Sequence, residues 1–316
     1  MDMSSSRGVD VLTDVLARSR ARGAAFARTT VHGDRGVGFP AGPGLAVHAV
    51  VEGELHLWGD DPAAALRLAP GDVVLVHGTV EHYLAPRPGA PCAPLVELLR
   101  TGSRQGAERR LTHGAADDGP AVEFFCGAYL FDGDLFRPLL ESLPDTVHLR
   151  PAAGSTLRAT IDLLAREMGR DEPGQQALLD RLLDVALVQV LREHFRANED
   201  SAPAWFRALE DPAVGAALRA LHADPSHPWT VQELADEAAL SRAAFARRFT
   251  ERLGVAPLAY LVDWRMALAR ERLRDTDDGL AAIAESVGYA SEFSFAAAFK
   301  RHHGSAPGRW RAAAHA

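Results

Sequence analysis

The sequence predicts an α+β multidomain protein. Residues 1–150 read as a β-rich domain, 151–203 as a helical segment, and 204–316 as an all-α domain. Three observations carry this. From Gly23 to about Glu97 short apolar runs alternate with Gly and Pro, the texture of strands and tight turns. From about Pro151 to Ala197 the apolar residues recur at helical spacing. The last eighty or so residues repeat themselves: Ser241, Phe245, Phe249, Gly254 and Pro257 return fifty positions on as Ser291, Phe295, Phe299, Gly304 and Pro307. A chain of 316 residues has room for two domains with sizeable cores.

Taken in order, the Ser-rich start leads into an amphipathic stretch, Val9 to Ala17, expected to form a short helix. The runs LAVHAVVEGELHLWG, LRLAPGDVVLVHG and EHYLAP are strands at regular intervals, the pattern of a small β-barrel or sandwich. A polar, Gly-rich excursion follows over Thr101 to Pro120, and Val122 to Phe131 returns to the barrel as a further strand. Leu157, Ile161, Leu164 and Met168 then make one helical stripe. After Pro173-Gly174 a second carries Leu178, Leu179, Leu182, Leu183, Val185, Ala186, Val190 and Leu191. That helix is apolar around more than one face, so it is expected to be buried on several sides, under the barrel or in a dimer interface. The stretch NEDSAP (198–203) reads as an interdomain linker.

Each copy of the C-terminal repeat reads as helix, tight turn, helix. Thr230 and Glu233 form a capping box, Leu234 and Ala238 give the first helix its apolar face, and Ser241 caps the second. Phe245 and Phe249, at i and i+4, lie on one side, while Arg242, Ala243, Arg247 and Arg248 point elsewhere. Gly254 ends the helix and Pro257 prevents its continuation. The second copy repeats this with Ile283-Ala284-Glu285, a turn at Gly288-Tyr289, and a Ser291-capped helix carrying Phe295, Phe299, Lys300 and Arg301. Two short helices joined by a tight turn, the second with a small and basic free face, make a helix-turn-helix whose second helix fits the DNA major groove. The alternative is a plain helical bundle with a solvated basic face, and duplication of the whole unit speaks against it.

The stretch Leu280 to Arg311, LAAIAESVGYASEFSFAAAFKRHHGSAPGRWR, resembles the C-terminal signature of AraC/XylS-type transcription regulators. Pro257 to Leu273, PLAYLVDWRMALARERL, resembles that family's long linker helix, and the likeness covers about residues 210 to 312. The resemblance implies two helix-turn-helix units bound in successive major grooves of promoter DNA. The candidate DNA-binding residues in the first are Arg242, Ala243, Arg247 and Arg248: Arg reads guanine bidentately, and the small Ala243 lets the helix sit deep. In the second they are Ser291, Glu292, Ser294, Ala297 and Arg301, with Glu292 able to accept from cytosine or to fix a neighbouring Arg. Lys300 and Arg309 are expected at phosphates. Phe245, Phe249, Phe295, Phe299 and Trp264 are expected in the core.

In the β-rich domain, His48-x3-Glu52-x6-Gly59 followed by Gly71-Asp72 and His82 resembles the two motifs of cupin barrels, which bring His and Glu side chains to the interior. Ala46 stands where the first motif has a His, and His77 where the second has a Pro. The stretch AVEFFCGAYLFDGDLFRPLLESLPDTVHL resembles the end of the effector domain in an AraC-type subgroup that includes reactive-chlorine-sensing regulators. Cys126 is thus a candidate third metal ligand beside His48 and His82, a set that suits zinc. Without metal, these histidines line an effector pocket or are hydrogen-bonded interior residues. Glu52 and His77 complete the candidate effector pocket, with His77 at the rim. Cys92, in PGAPCAP, is either half of a redox pair with Cys126 or incidental.

The net charge of −8 would not by itself point to nucleic acid. The distribution does: residues 241–274 hold eight Arg against three acids, and 299–311 hold four basic residues and no acid. No apolar run approaches the roughly 18 residues of a membrane span. The N-terminus has no signal-peptide core, and two cysteines make no disulfide framework, so a cytoplasmic protein is expected, and high Ala and Arg with scarce Lys point to a GC-rich bacterial genome. The reading is a non-enzymatic homodimeric regulator whose partners are double-stranded promoter DNA, RNA polymerase, and a small-molecule, metal or oxidant effector. The alternative from another class is a metal-dependent cupin enzyme carrying a DNA-binding domain, against which the incomplete ligand pattern counts.

Overall fold

The computed structural model describes residues 27–42, 44–105, 108–129, 137–168, 170, 172–199 and 202–314; the helix expected over Val9 to Ala17 lies outside them. Among the described residues the chain divides into two compact units, one of residues 27–129 and 140–199, the other of 202–314 with 137–139. The helical segment 151–203 is therefore no domain of its own: nearly all of it belongs with the β-rich unit.

That unit contains β1 (Ala27–His32), β2 (Gly36–Phe39), β3 (Leu45–Glu52), β4 (Leu55–Trp58), β5 (Leu66–Leu68), β6 (Val73–His77), β7 (His82–Ala85), β8 (Cys92–Pro94), β9 (Ser103–Gln105), β10 (Glu108–His113), β11 (Ala121–Tyr129) and β12 (Thr146–Leu149). Among the described residues these form a seven-stranded sheet in the order β12-β6-β3-β11-β1-β10-β9 and a five-stranded sheet in the order β5-β4-β7-β2-β8. Strand periodicity sorts the side chains. Val50, Val74, Val76, Phe124 and Cys126 of the large sheet share one core with Val37, Phe39, Leu55, Leu57 and Leu84 of the small one. The alternate residues Leu45, Val47, Ala49, Leu75, Phe125 and Tyr129 are buried as well. A sheet covered on both faces gives near-continuous apolar strands, and VVLV of β6 is an example.

α1 (Leu95–Thr101) and α2 (Arg137–Glu141) are short; α3 (Thr156–Glu167) and α4 (Gln175–Ala197) are the two helices of the middle segment. Tyr129 at the end of β11 donates its hydroxyl to the Leu183 carbonyl of α4 at 2.5 Å, which ties the helix to the large sheet. Leu157, Ile161, Leu164, Leu179, Leu183, Leu187 and Leu191 of the two helices are buried. Burial on several sides does not hold for all of α4: Leu178 is 42 % and Val185 45 % exposed. The stretch Thr101 to Pro120, read as an excursion, holds β9 and β10, and β10 pairs in parallel with β1. Its ERRLTH sequence hid this, because an edge-ward strand needs few apolar residues.

The second unit is helical: α5 (Ala204–Leu209), α6 (Pro212–Ala223), α7 (Val231–Glu237), α8 (Arg242–Leu253), α9 (Pro257–Asp275), α10 (Leu280–Ser286), α11 (Glu292–His303) and α12 (Pro307–Ala314). The expected caps are present. The Thr230 hydroxyl and the Glu233 side chain close a capping box, and Ser241 and Ser291 accept from the amides of Ala244 and Ser294. Gly254 and Gly304 end α8 and α11 at φ +75° and +76°, the left-handed conformation that a helix C-terminus uses. The two turns close with equivalent bonds, Leu240 N to Ala235 O at 2.9 Å and Tyr289 N to Ala284 O at 2.8 Å. Phe245, Phe249, Phe295 and Phe299 are fully buried and Trp264 nearly so, as their spacing required.

Candidate functional site

Burial of one face of α8 and α11 determines what the other presents. On α8, Arg242, Ala243 and Arg247 are exposed, with Arg247 Nε 3.7 Å from Glu251 one turn on. Arg248 is placed differently. Its Nε donates to Asp211 Oδ2 at 2.7 Å, and Arg252 reaches the same oxygen at 3.3 Å. The Asp211 side chain is 1 % exposed and also caps α6 through the amides of Ala213 and Val214. Burial pushes its carboxyl up, but the bonds from Arg248 and those amides outweigh this and hold it below its ordinary value. Arg248 thus ties α8 to α6 while its side chain remains 44 % exposed.

On α11, Glu292, Ser294, Ala297, Lys300 and Arg301 are exposed, as is Arg309 on α12. Ser291 and Ser294 are engaged locally, Ser294 Oγ donating to the Ser291 carbonyl at 2.8 Å. The two helices therefore expose Arg242, Ala243 and Arg247 on one and Glu292, Ala297 and Arg301 on the other. What spacing did not reveal is the clasp between the repeats. Arg265 of α9 donates to the carbonyls of Pro225 at 2.7 Å and His227 at 2.8 Å, just ahead of the first unit. Its guanidinium also lies 6.0 Å from the ring of Tyr289 in the second unit's turn.

In the β-rich unit the motif histidines do meet. His48 of β3 and His82 of β7 lie in the interior, 2 % and 3 % exposed, with their Nε2 atoms 2.9 Å apart. Phe39, the register partner of His82, stacks on it at 4.9 Å and 4° and meets His48 edge-on at 4.6 Å. The tautomers follow from the partners. His82 Nδ1 lies 3.1 Å from the Val80 carbonyl, which can only accept, so that nitrogen carries the proton. His82 Nε2 is then the acceptor and His48 Nε2 the donor. This leaves His48 Nδ1 as a bare lone pair, buried and, among the described residues, without a hydrogen-bond partner. Burial, reinforced by the neighbouring His82, holds His48 well below its ordinary value; burial also lowers His82, offset in part by the Val80 carbonyl and Glu81. Both rings are neutral at pH 7.

The other candidates do not join them. Cys126 is the strand partner of His48, yet its Sγ pairs with Thr29 Oγ1 at 3.4 Å, and burial pushes the thiol up to about 12. Among the described residues no three His, Cys, Asp or Glu side chains come together to hold a metal. The donors thus supply two of the four positions a structural zinc takes, and the expected His48–His82–Cys126 set is corrected to a histidine pair. Glu52 is exposed at the end of β3. His77 alternates to the face opposite Val74 and Val76, with Nδ1 2.8 Å from the Thr79 hydroxyl. Neither lines the interior. Cys92 lies on the other sheet, its thiol pushed up to about 11 by burial, so neither cysteine is a thiolate at neutral pH. Phe39 and Thr29, missed from the sequence, carry no motif; only strand pairing brings them to the histidines and to Cys126.

Comparison with known proteins agrees with both units. Residues 10–196 match the Cupin family and residues 234–313 a helix-turn-helix domain family. An AraC-like transcription regulator of Streptomyces antibioticus is 34 % identical over 306 residues, covering 96 % of this chain and 98 % of the relative. The HTH-type transcriptional regulator AlkR of Acinetobacter baylyi is 31 % identical over 274 residues, 84 % of this chain and 87 % of its own. The RCS-specific HTH-type transcriptional activator RclR of Escherichia coli is 34 % identical over 211 residues, 66 % of this chain and 72 % of its own. With a tandem helix-turn-helix unit behind a cupin domain, the chain belongs to the AraC family of DNA-binding transcription regulators.

Proposed function

We propose that the cupin domain senses a small organic molecule and that its occupancy changes how the tandem helix-turn-helix domain binds a promoter. The observation that carries this is the unpartnered Nδ1 of His48, a buried acceptor at the core of the barrel. An acceptor buried without a donor costs about 1–3 kcal/mol, so a ligand carrying a hydroxyl or N–H group gains by supplying one. Phe39 and the surrounding Val and Leu side chains suit an otherwise apolar molecule. Two imidazoles without a third ligand speak against a metal effector, and two protonated thiols speak against an oxidant acting on cysteine. The effector needs only to bind one arrangement of the protein more tightly than another.

On the DNA side, Arg242, Ala243 and Arg247 of the first unit and Glu292, Ala297 and Arg301 of the second read bases. Ser291, Ser294, Lys300 and Arg309 set the register on the backbone, and RNA polymerase receives the output in the cytoplasm. The exposed Leu178 and Val185, one above the other on α4, support a homodimer built on that face.

The experiment is a thermal-shift comparison of the full chain and a His48→Leu/His82→Leu variant against phenols, primary amides and fatty alcohols, with Zn2+ and hypochlorite alongside. At a ligand concentration 100 times its Kd, stabilisation should reach about 2.7 kcal/mol in the native chain and vanish in the variant. A shift produced only by Zn2+ or only by hypochlorite overturns the small-molecule reading in favour of that effector.

A further inference from the structure

Four phenylalanines of the two recognition helices are fully buried, but a fifth is not. Phe293, the second residue of α11, is 79 % exposed. On a helix, residues four apart stack on one face, so Phe293 heads a line that continues through Ala297 to Arg301, both exposed. The fifty-residue repeat places Ala243, Arg247 and Glu251 on the corresponding line of α8. Position 293 is thus the counterpart of Ala243, and it lies at the helix N-terminus, where recognition helices touch base edges.

We infer that Phe293 is a specificity-determining residue of the second unit and reads the C5-methyl group of thymine. This rests on the proposal that α8 and α11 face the DNA. A benzyl side chain offers no donor or acceptor, so the amide, amino and carbonyl edges of the major groove give it nothing to pair with. The thymine methyl is the one apolar group displayed there, and Phe is among the side chains that contact it. Beside Phe293 stands Glu292, which repels phosphate and accepts from cytosine. The first unit instead offers Arg242 and Arg247, which suit guanine. The two units therefore read unlike half-sites: a guanine-containing one under α8 and a pyrimidine-rich one under α11.

The test uses the full chain and a duplex that it enriches from a randomised pool. Each thymine of the segment protected by the second unit is replaced by uracil, which removes the methyl group and leaves every hydrogen-bonding atom in place. One or two replacements should weaken the native protein about tenfold. Phe293→Ala should bind the thymine duplex about tenfold more weakly and be indifferent to those same replacements; its thermal unfolding should match the native chain, since the side chain packs on little. Phe293→Leu, still apolar, should retain part of the methyl dependence. Arg301→Ala and Arg247→Ala run alongside. If Arg301→Ala binds weakly while Phe293→Ala binds like the native chain, the inference fails and α11 still faces DNA. The same holds if methyl removal costs both proteins equally, or if Phe293→Ala loses transcription without losing DNA affinity. If neither arginine variant loses affinity, or the pool yields no enriched sequence, the DNA-facing assignment of these helices fails and takes the inference with it.

Discussion

Ala239 turns the chain at φ +51°, the one non-glycine residue in the left-handed region among the described residues, and its counterpart in the second repeat is Gly288 at +78°. Both sit in the turn of a helix-turn-helix, so the turn itself demands the conformation. Glycine adopts it freely, whereas an L side chain pays about 1–2 kcal/mol, offset in part by the greater unfolded-state freedom that glycine would lose. Ala239→Gly should therefore stabilise the helical unit by about 0.5–1 kcal/mol, a rise of a few degrees in Tm. Gly288→Ala should do the reverse and more. A Cβ there would lie 2.5 Å from the Ser226 carbonyl and 2.6 Å from the Arg265 guanidinium, so a loss of about 2–3 kcal/mol is expected. Differential scanning calorimetry of the two variants checks both signs; destabilisation by Ala239→Gly would show that the methyl contributes packing that outweighs the strain.

At the scale of elements, α9 determines how the two DNA-reading units are held, and Arg265 is its contact with both. The guanidinium grips the carbonyls of Pro225, Ser226 and His227 ahead of α7 and lies over Tyr289 between α10 and α11. Burial lowers its pKa, with Tyr289 and Asp224 acting the other way. A planar fork with several donors suits three backbone acceptors, which an ammonium group does not. Arg265→Ala, and to a lesser degree Arg265→Lys, should leave each helix-turn-helix folded but relax their separation. Operators with one or two base pairs inserted between the half-sites should then be discriminated less, the native preference falling by about tenfold. Electrophoretic mobility shifts on a spacer series read this directly. An unchanged spacer preference would assign Arg265 to fold stability alone.

At the scale of the molecule, α4 leaves two of its apolar residues, Leu178 and Val185, exposed. Leu178 and Val185 lie seven residues apart on one line, with the Arg181–Asp184 ion pair between them. On the homodimer proposed above, a Leu178→Glu/Val185→Glu variant should sediment as a monomer at concentrations where the native chain sediments as a dimer. It should also lose most of its affinity for a two-site promoter while keeping its far-UV circular dichroism. Equal sedimentation of both proteins would remove this face from the assembly.

Much of this was legible in the sequence because it is local. The fifty-residue repeat, the Ser and Thr caps, the Gly254 and Gly304 stops and the Phe pairs each depend on neighbours within a few residues, so the helical unit could be read nearly to its boundaries. The histidine motif likewise brought His48 and His82 to one interior. Long-range geometry decided the rest. Strand register set Cys126 opposite His48, but its thiol pairs with the Thr29 hydroxyl instead; the same period of two put His77 on the other face, since it leaves no intermediate orientation. The parallel pairing of β10 with β1 has no sequence signature, and neither has the bond from Arg248 to Asp211, 37 residues earlier and buried beside it. The sequence by itself determined the family, the tandem DNA-binding units and the barrel. Only the tertiary structure decided which polar side chains are consumed in holding the fold and which, like Phe293 and the Nδ1 of His48, are left facing outward or without a partner.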